Sequence, residues 1–324
     1  WLERSQAIDR STLPEKLRHN MPDWLANPLR KQLGDEEFWA LVESLSVSAP
    51  LDLRVNTFKA KREAVLEALA AAKIEAQPTA YCPTAIRING KPALQKLDVF
   101  TSGQVEVQDE GSQLLALLTG AKRGEMVVDF CAGAGGKTLA LGAMMRNTGR
   151  LYAFDTSGHR LDAIKPRLAR SGLSNVYATQ IAHERDERVK RLSGKIDRVL
   201  VDAPCSGTGT LRRNPDIKWR QSPKAIAELN EIQAAILKSA ARMVKPGGRL
   251  VYATCSLLKS ENEVIAEKFS EAHPDFVQVN AKDKLEQAGV AQAESLVTEA
   301  GHLRLWSHRH ATDGFFAVAW EKKA

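Results

Sequence analysis

From about residue 105 onward the sequence alternates short apolar runs with amphipathic helical stretches, and no other feature narrows the possible folds as far. The runs are Met126–Ala132, Leu151–Asp155, Val176–Gln180, Ile196–Ala203 and Arg249–Thr254. Helical stretches fall between them at Lys137–Arg146, Arg160–Ser171 and Lys224–Val244, the last stopped by Pro246-Gly247-Gly248. Strands that are apolar along most of their length must be covered on both faces, and the helices supply the cover. The expected fold is therefore α/β: a doubly wound, mostly parallel, Rossmann-like sheet over residues 105–324. Gly314–Trp320 also reads as a strand, expected at an edge of that sheet.

The upstream grammar differs. Residues 1–47 read as helical, with Trp24, Leu25, Leu29 and Leu33 on one face and Phe38, Leu41, Val42 and Leu45 repeating the pattern. Residues 48–104 read as a small α+β module: a strand through Leu51, Leu53 and Val55, a helix from Lys61 to Lys73, and a strand through Ile86 and Ile88 entering the Asn89-Gly90 turn. This module carries no catalytic constellation, so its expected role is substrate contact or packing.

Several classes are excluded at once. With 44% hydrophobic and 26% charged residues the chain is not disordered. Its apolar runs, such as Leu114–Leu118, fall far short of the roughly 18–20 residues that span a bilayer, so no membrane partner is expected. Lys and Arg number 46 against 39 Asp and Glu, a net charge of +7 that suits a polyanionic partner without requiring one. Cys82, Cys131, Cys205 and Cys255 are too widely spaced for a zinc knuckle, and no signal peptide opens the sequence. A reducing, cytoplasmic setting and a monomer are the default expectations. The chain starts at Trp1 and not at Met, so missing upstream residues are expected.

Asp129-Phe130-Cys131-Ala132-Gly133-Ala134-Gly135-Gly136-Lys137-Thr138 closes the first strand of the large sheet and opens its first helix. Glycines there let a ligand approach the backbone and meet helix N-terminal amides. A phosphate-cradling loop needs a glycine where Cys131 stands, and Gly133-x-Gly135-Gly136 does not fit the dinucleotide fingerprint. An S-adenosylmethionine loop remains, with Cys131, Ala132, Gly133, Ala134, Gly135, Gly136 and Lys137 as candidate cofactor contacts. Asp155, 20 residues after Gly135, ends the next strand where a carboxylate can accept from ribose hydroxyls. Taken alone, this pair would serve a nucleotide oxidoreductase equally well, and Lys137 would serve equally as a surface lysine.

Cys205 follows Asp202-Ala203-Pro204 at one strand end, and Cys255 follows Tyr252-Ala253-Thr254 at another. In an open parallel sheet both ends face the rim where the glycine loop lies. Two thiols beside a methyl donor suit one reaction in particular. Carbon 5 of a pyrimidine is a poor nucleophile until a thiolate adds at carbon 6 and makes the ring enamine-like. Asp202 is placed to stabilise the protonated ring nitrogen and the exocyclic amine of cytosine. Just beyond, Arg212, Arg213, Lys218 and Arg220 interleave with Trp219, a composition that suits an RNA strand. His183–Lys195 reads as a solvated helix. His308 and His310 lack partners at ligand spacing, so they read as surface residues and no metal is expected.

Six blocks carry a resemblance. Gln108-Asp109-Glu110-Gly111-Ser112, the loop at 129–138, Asp202–Gly209, Arg212-Arg213-Asn214-Pro215-Asp216-Ile217-Lys218-Trp219, Tyr252–Ser256 and Asp313-Gly314-Phe315-Phe316 resemble, in order, the RNA (cytosine-5)-methyltransferases of the Sun/Nop2 type. The fourth block is most similar to that of the bacterial enzymes acting on 16S ribosomal RNA. The resemblance implies that S-adenosylmethionine is the cofactor, that Cys255 is the nucleophile and that Cys205 assists breakdown of the covalent intermediate. It implies that Asp202 lies close to both cofactor and base, and that RNA is the partner, ribosomal RNA ahead of transfer RNA. The alternatives are the same chemistry on transfer RNA, or a non-catalytic RNA-binding or ribosome-assembly factor that retains the fold. Two departures stand out. Gly133-Ala134-Gly135 replaces the family's usual Ala-Pro, and the third strand ends in Gln180-Ile181-Ala182-His183 where the family has an Asp for the adenine amine. Relatives of the ribosomal type often carry a further helical RNA-binding domain, of which this sequence holds at most the final helices.

Overall fold

A computed structural model describes residues 8–324; residues 1–7 of the N-terminal helical segment lie outside the described residues. Two sheets organise the chain. In the smaller one, β1 (Leu51–Val55), β2 (Ala76–Pro78), β3 (Ala85–Ile88) and β4 (Val105–Val107) lie in the order β2-β3-β1-β4, antiparallel throughout. Leu53, Val55, Ile86 and Ile88 face one apolar cluster beneath the helix Arg62–Ala71. The fourth strand lies at residues 105–107, so this sheet runs past position 104, where the sequence pattern had put its end.

The larger sheet contains β5 (Met126–Phe130), β6 (Arg150–Asp155), β7 (Val176–Gln180), β8 (Ile196–Asp202), β9 (Val244–Thr254), β10 (Phe276–Val279), β11 (Leu303–Leu305) and β12 (Phe315–Lys322). Its order is β10-β12-β9-β8-β5-β6-β7, with β11 paired to β12. Strands β5 to β9 are mutually parallel, so the doubly wound reading holds. The order reverses beside β5, with β6 on one side and β8 on the other. Ligands bind in the crevice beyond the strand ends at such a reversal.

Side chains alternate strictly across this sheet. Val199, Val201, Leu250, Tyr252, Val318 and Trp320 share one core, while Leu200, Val251, Ala253, Ala317 and Ala319 face the other. Helices cover both faces, with Leu237, Ala240 and Ala241 of Pro223–Met243 on the first and Leu114, Leu115 and Leu118 of Glu110–Thr119 on the second. The helical stretch expected over Arg160–Ser171 is two helices, Gly158–Asp162 and Ile164–Ser171. Pro166 has no N–H to donate back across the junction, which favours the break. The N-terminal helices Asp23–Leu33 and Asp35–Leu45 pack Leu25, Leu29, Phe38 and Leu41 against Leu211, Leu257, Leu258 and Trp306. They thereby brace the loops that follow β8 and β9.

One strand is not where the sequence suggested. Gly314–Trp320 was expected at an edge; β12 is interior, antiparallel to β9 on one side and to β10 on the other. An unbroken Phe-Phe-Ala-Val-Ala-Trp run is what a strand buried on both faces requires, whereas an edge strand is usually blunted by charge or proline. Trp320 is fully buried and its indole N–H donates to Ser270 Oγ at 2.9 Å. Trp320→Ala is expected to cost about 3–5 kcal/mol of stability in urea unfolding; a cost near zero would return β12 to the periphery.

Candidate active site

The turn after β5 is tightly specified by its backbone. The Cys131 and Ala132 amides both donate to the Phe154 carbonyl, at 2.9 and 2.8 Å. Cys131 adopts φ +108, a conformation that non-glycine residues hold only when their surroundings enforce it. Gly133 and Gly135 also have positive φ, and a Cβ on either would come within 3 Å of Arg160 or Ile164. Asp155, at the end of β6, accepts from the amides of Gly133 and Ser157, each at 2.8 Å. Two arginines hold loop carbonyls: Arg167 donates to Ala134, and Arg54, reaching over from β1 of the small sheet, donates to Gly136 at 2.6 Å.

Beneath the turn, Asp129 is fully buried and one of its oxygens lacks any partner among the described residues; the other accepts from Thr138 Oγ1 at 2.6 Å. Burial, reinforced by the charges of Asp202 and Asp155, pushes this carboxyl up to about 7. Lys137, far from being a surface lysine, is largely enclosed and donates to Asp202 Oδ2 at 2.7 Å. Burial alone would lower its pKa, but the Asp202 carboxylate outweighs it and the net direction is upward.

The two cysteine loops meet because β8 and β9 are parallel neighbours with Asp202 opposite Ala253. The chain leaving each strand passes over the same edge, and Cys205 Sγ lies 3.4 Å from Cys255 Sγ. Gly209 closes the arrangement: its amide donates to the Cys255 carbonyl at 2.8 Å, and its carbonyl accepts from the Gly314 amide at 2.9 Å. A Cβ at Gly209 would sit 2.1 Å from the Gly314 carbonyl oxygen, so no other residue fits. The Cys205 thiol is pushed well above its usual range, first by its hydrogen bond to Cys255, then by burial and by the nearby charges of Cys255 and Glu261.

These parts line one cleft of about 780 Å³, bounded by the glycine turn, Asp155, Asp202, Cys205 and Cys255, with Ile181, Ile232 and Ile236 as an apolar wall. The third strand delivers Ile181, Ala182, His183 and Glu184 to the cleft. Gln180 turns away, donating to the Thr156 carbonyl at 2.9 Å. Residues 183–195 contain only a four-residue helix, Glu187–Lys190, in place of the long solvated helix expected.

The basic block divides in two. Arg212, expected to face RNA, is buried: it donates to Asp313 Oδ1 at 2.7 Å and lies 3.8 Å from Asp109. Arg213 makes the same pair of contacts, to Asp313 Oδ2 at 2.5 Å and to Asp109 at 3.0 Å. Both guanidiniums are thus committed to an ion cluster that ties the loop after β8 to the start of the helix Glu110–Thr119 and to the entrance of β12. Lys218 and Trp219 differ. Trp219 is 59% exposed, with the Lys218 ammonium 5.7 Å from its ring centre. His310, read as a surface residue, is buried, with Nδ1 accepting from the Trp306 amide at 2.9 Å. Among the described residues no three His, Cys, Asp or Glu side chains cluster as a metal site would, and no helix is long and apolar enough to cross a membrane.

Comparison with known proteins bears on this geometry. Residues 116–321 match the family described as 16S rRNA methyltransferase RsmB/F, and residues 21–95 match the ferredoxin-like domain of RsmF/B-like methyltransferases. The chain belongs to the RsmB/F family. The probable ribosomal RNA small subunit methyltransferase B of Synechocystis is 35% identical over 98% of this chain and 70% of its own length. The protein of the same description from Bacillus subtilis is 35% identical over 93% of this chain and 66% of its own length. A crystal structure of the protein PH0851 superposes with a TM-score of 0.86 at 32% identity, covering 99% of this chain and 71% of that one.

S-adenosylmethionine is the methyl donor of this family. The cleft fits it: a turn packed closely at Gly133 and Gly135, a carboxylate at the end of β6 and an apolar wall suited to adenine all face one space. Sequence reasoning missed Arg54, Gln233, Glu261 and Asn262, which hold these loops from behind. Nothing in their spacing distinguishes them from ordinary polar residues.

Two stability measurements check this description. Asp129 has a folded pKa of about 7 against an ordinary 3.8, so the folded state binds its proton more tightly and stability falls as pH rises between those values. Asp129→Asn removes that contribution, and its stability relative to the parent is expected to grow by more than about 1 kcal/mol from pH 5 to pH 8. The reverse trend would mean that a cation outweighs burial at this carboxyl. Arg212→Ala is expected to cost about 2–3 kcal/mol, because it leaves two buried carboxylates with Arg213 as their one remaining arginine partner, while Trp219→Ala stays within about 0.5 kcal/mol. Equal effects would contradict the division of the basic block.

Proposed function

We propose that this chain transfers a methyl group to carbon 5 of a cytosine in small-subunit ribosomal RNA, with Cys255 as nucleophile. What carries the reading is the meeting of two thiols, 3.4 Å apart, on the cleft that also contains the glycine turn. Methylation of an amine or a hydroxyl needs no thiol; carbon 5 of a pyrimidine does. The names of the relatives, small subunit methyltransferase B, supply the substrate class.

The residues divide the work as follows. Cys255 Sγ adds to carbon 6 of the cytosine, forming a C–S bond and placing electron density on carbon 5. Asp202, held by Lys137, accepts from the exocyclic amine and stabilises the protonated ring nitrogen. Cofactor binding falls to the turn from Cys131 to Lys137 together with Asp155, and the bound cofactor supplies an electrophilic methyl group to the activated carbon. With the demethylated donor as leaving group, the carbon-5 proton then passes to water, the C5–C6 double bond reforms, and the C–S electron pair leaves with Cys255 as its thiolate. Cys205, its thiol kept protonated, assists this last stage from 3.4 Å away. Exposed Trp219 and its neighbour Lys218 offer a stacking surface and a charge to the RNA strand.

The test is a denaturing gel of the Cys205→Ala protein incubated with 16S ribosomal RNA and S-adenosylmethionine. A protein–RNA adduct that resists denaturant is expected, and it should vanish in the Cys205→Ala/Cys255→Ala double variant. An adduct that survives loss of Cys255 would overturn the nucleophile assignment. Adduct with transfer RNA but none with ribosomal RNA would overturn the substrate.

A further inference from the structure

Behind the two thiols lies a polar network that the reaction described above does not use. Glu261, on the one-turn helix Lys259–Glu261, is fully buried and has no contact with the cleft. Four donors converge on its carboxylate. Oε1 accepts from the Ser206 amide at 2.8 Å and from Gln233 Nε2 at 3.0 Å; Oε2 accepts from the hydroxyls of Ser206 and Ser256. An ionised carboxylate has about four acceptor positions, so this one is saturated from within the protein.

Three of the four donors belong to the residues that follow each cysteine, Ser206 after Cys205 and Ser256 after Cys255; the fourth is Gln233. The other flanks are held in the same network. Gln233 also donates to the Pro204 carbonyl at 2.9 Å, and Asn262 accepts from Thr254 Oγ1 at 2.5 Å while donating to the Ser256 carbonyl at 2.9 Å. Tyr252, three residues before Cys255, donates its hydroxyl to the Glu261 carbonyl at 2.6 Å. Each cysteine thus sits between two clamped neighbours, and one carboxylate is common to both clamps.

We propose that Glu261 is a positioning residue that sets the separation of the two active-site thiols by tying Ser206 and Ser256 to a single buried carboxylate. One carboxylate offers two oxygens a short distance apart, so donors from two loops can be drawn to the same point. Misplacing a reacting group by about 1 Å costs on the order of 10²-fold in rate, so the clamp matters for reactivity well before it matters for folding.

The thiol separation can be read without RNA or cofactor. Diamide takes two electrons and two protons from a pair of thiols to give a disulfide and its hydrazine, and the rate reports how often the sulfurs meet. In Glu261→Gln one carbonyl oxygen remains for the donors and an amide replaces the other. Disulfide formation between Cys205 and Cys255, followed by mass and by loss of alkylation, is expected to slow by at least about ten-fold, with the unfolding temperature within a few degrees of the parent. Ser256→Ala, which removes one donor and leaves Glu261 in place, is expected to slow it by a smaller factor; it also carries the test if Glu261→Gln does not fold. Unchanged rates in the folded variants would overturn the proposal. The consequence for catalysis rests on the cytosine-5 reading, and Cys205→Ala separates the two. If Cys205→Ala traps an RNA adduct, Glu261→Gln is expected to resolve its own adduct more slowly than the parent. If Cys205→Ala traps none, the reaction assignment fails while the diamide result still decides the role of Glu261.

Discussion

The parallel pairing of β8 with β9 is the constraint on which the rest of the molecule depends. Fifty residues separate Cys205 from Cys255, and no local motif can bring them together. Two parallel strands in adjacent positions, with Asp202 level with Ala253, release their chains over the same edge of the sheet. Parallel pairing in turn demands a crossover, here the long helix Pro223–Met243, and that helix returns Gln233 to the back of both loops. A strand order with one more strand between β8 and β9 would move the thiols apart by about 5 Å, beyond any contact.

The second organising element is electrostatic. Asp109, Arg212, Arg213 and Asp313 come from three separate stretches of sequence and form one partly buried ion cluster. Burial and the neighbouring carboxylates Asp313 and Asp52 push Asp109 up to about 6, against the pull of the two arginines. Such clusters contribute little net stability compared with apolar packing, but losing one partner is costly. What the cluster achieves here is register: it seats the loop after β8 against the entrance of β12 at a single position, with Gly209 and Gly314 in backbone contact.

Much of this was legible in the sequence, for definite reasons. Val199 to Val201 and Leu250 to Ala253 are apolar without interruption, and only a strand buried on both faces requires that. The glycine turn was legible because positive φ and close packing leave few alternatives to glycine. The candidate site residues Asp155 and Asp202 end their strands and Cys205 and Cys255 lie just beyond theirs, and strand ends in a doubly wound sheet share a rim. Other features were not legible. Arg212 sits in a basic, aromatic stretch that resembles an RNA-binding surface; only its partners Asp109 and Asp313, about a hundred residues away on either side, show it to be structural. β12 looked like an edge because its neighbour β10 precedes it in sequence and slips in outside it. Glu261 and Gln233 carry no local signal at all, since their meaning arises only when two loops fold onto them.

The interior place of β12 also bears on how such a chain is made. Synthesis runs from the N-terminus at about 5–20 residues per second, and segments fold as their partners emerge. The glycine turn, both cysteine loops and the helix between them all leave the ribosome before Asp313 and β12. Until that strand arrives, β9 has one open edge, β10 has nothing to pair with, and Arg212 and Arg213 have only Asp109 of the two carboxylates they share. The nascent chain therefore carries the two cysteine loops on a sheet that lacks one of its interior strands, and the contact of Gly209 with Gly314 forms only once β12 is in place.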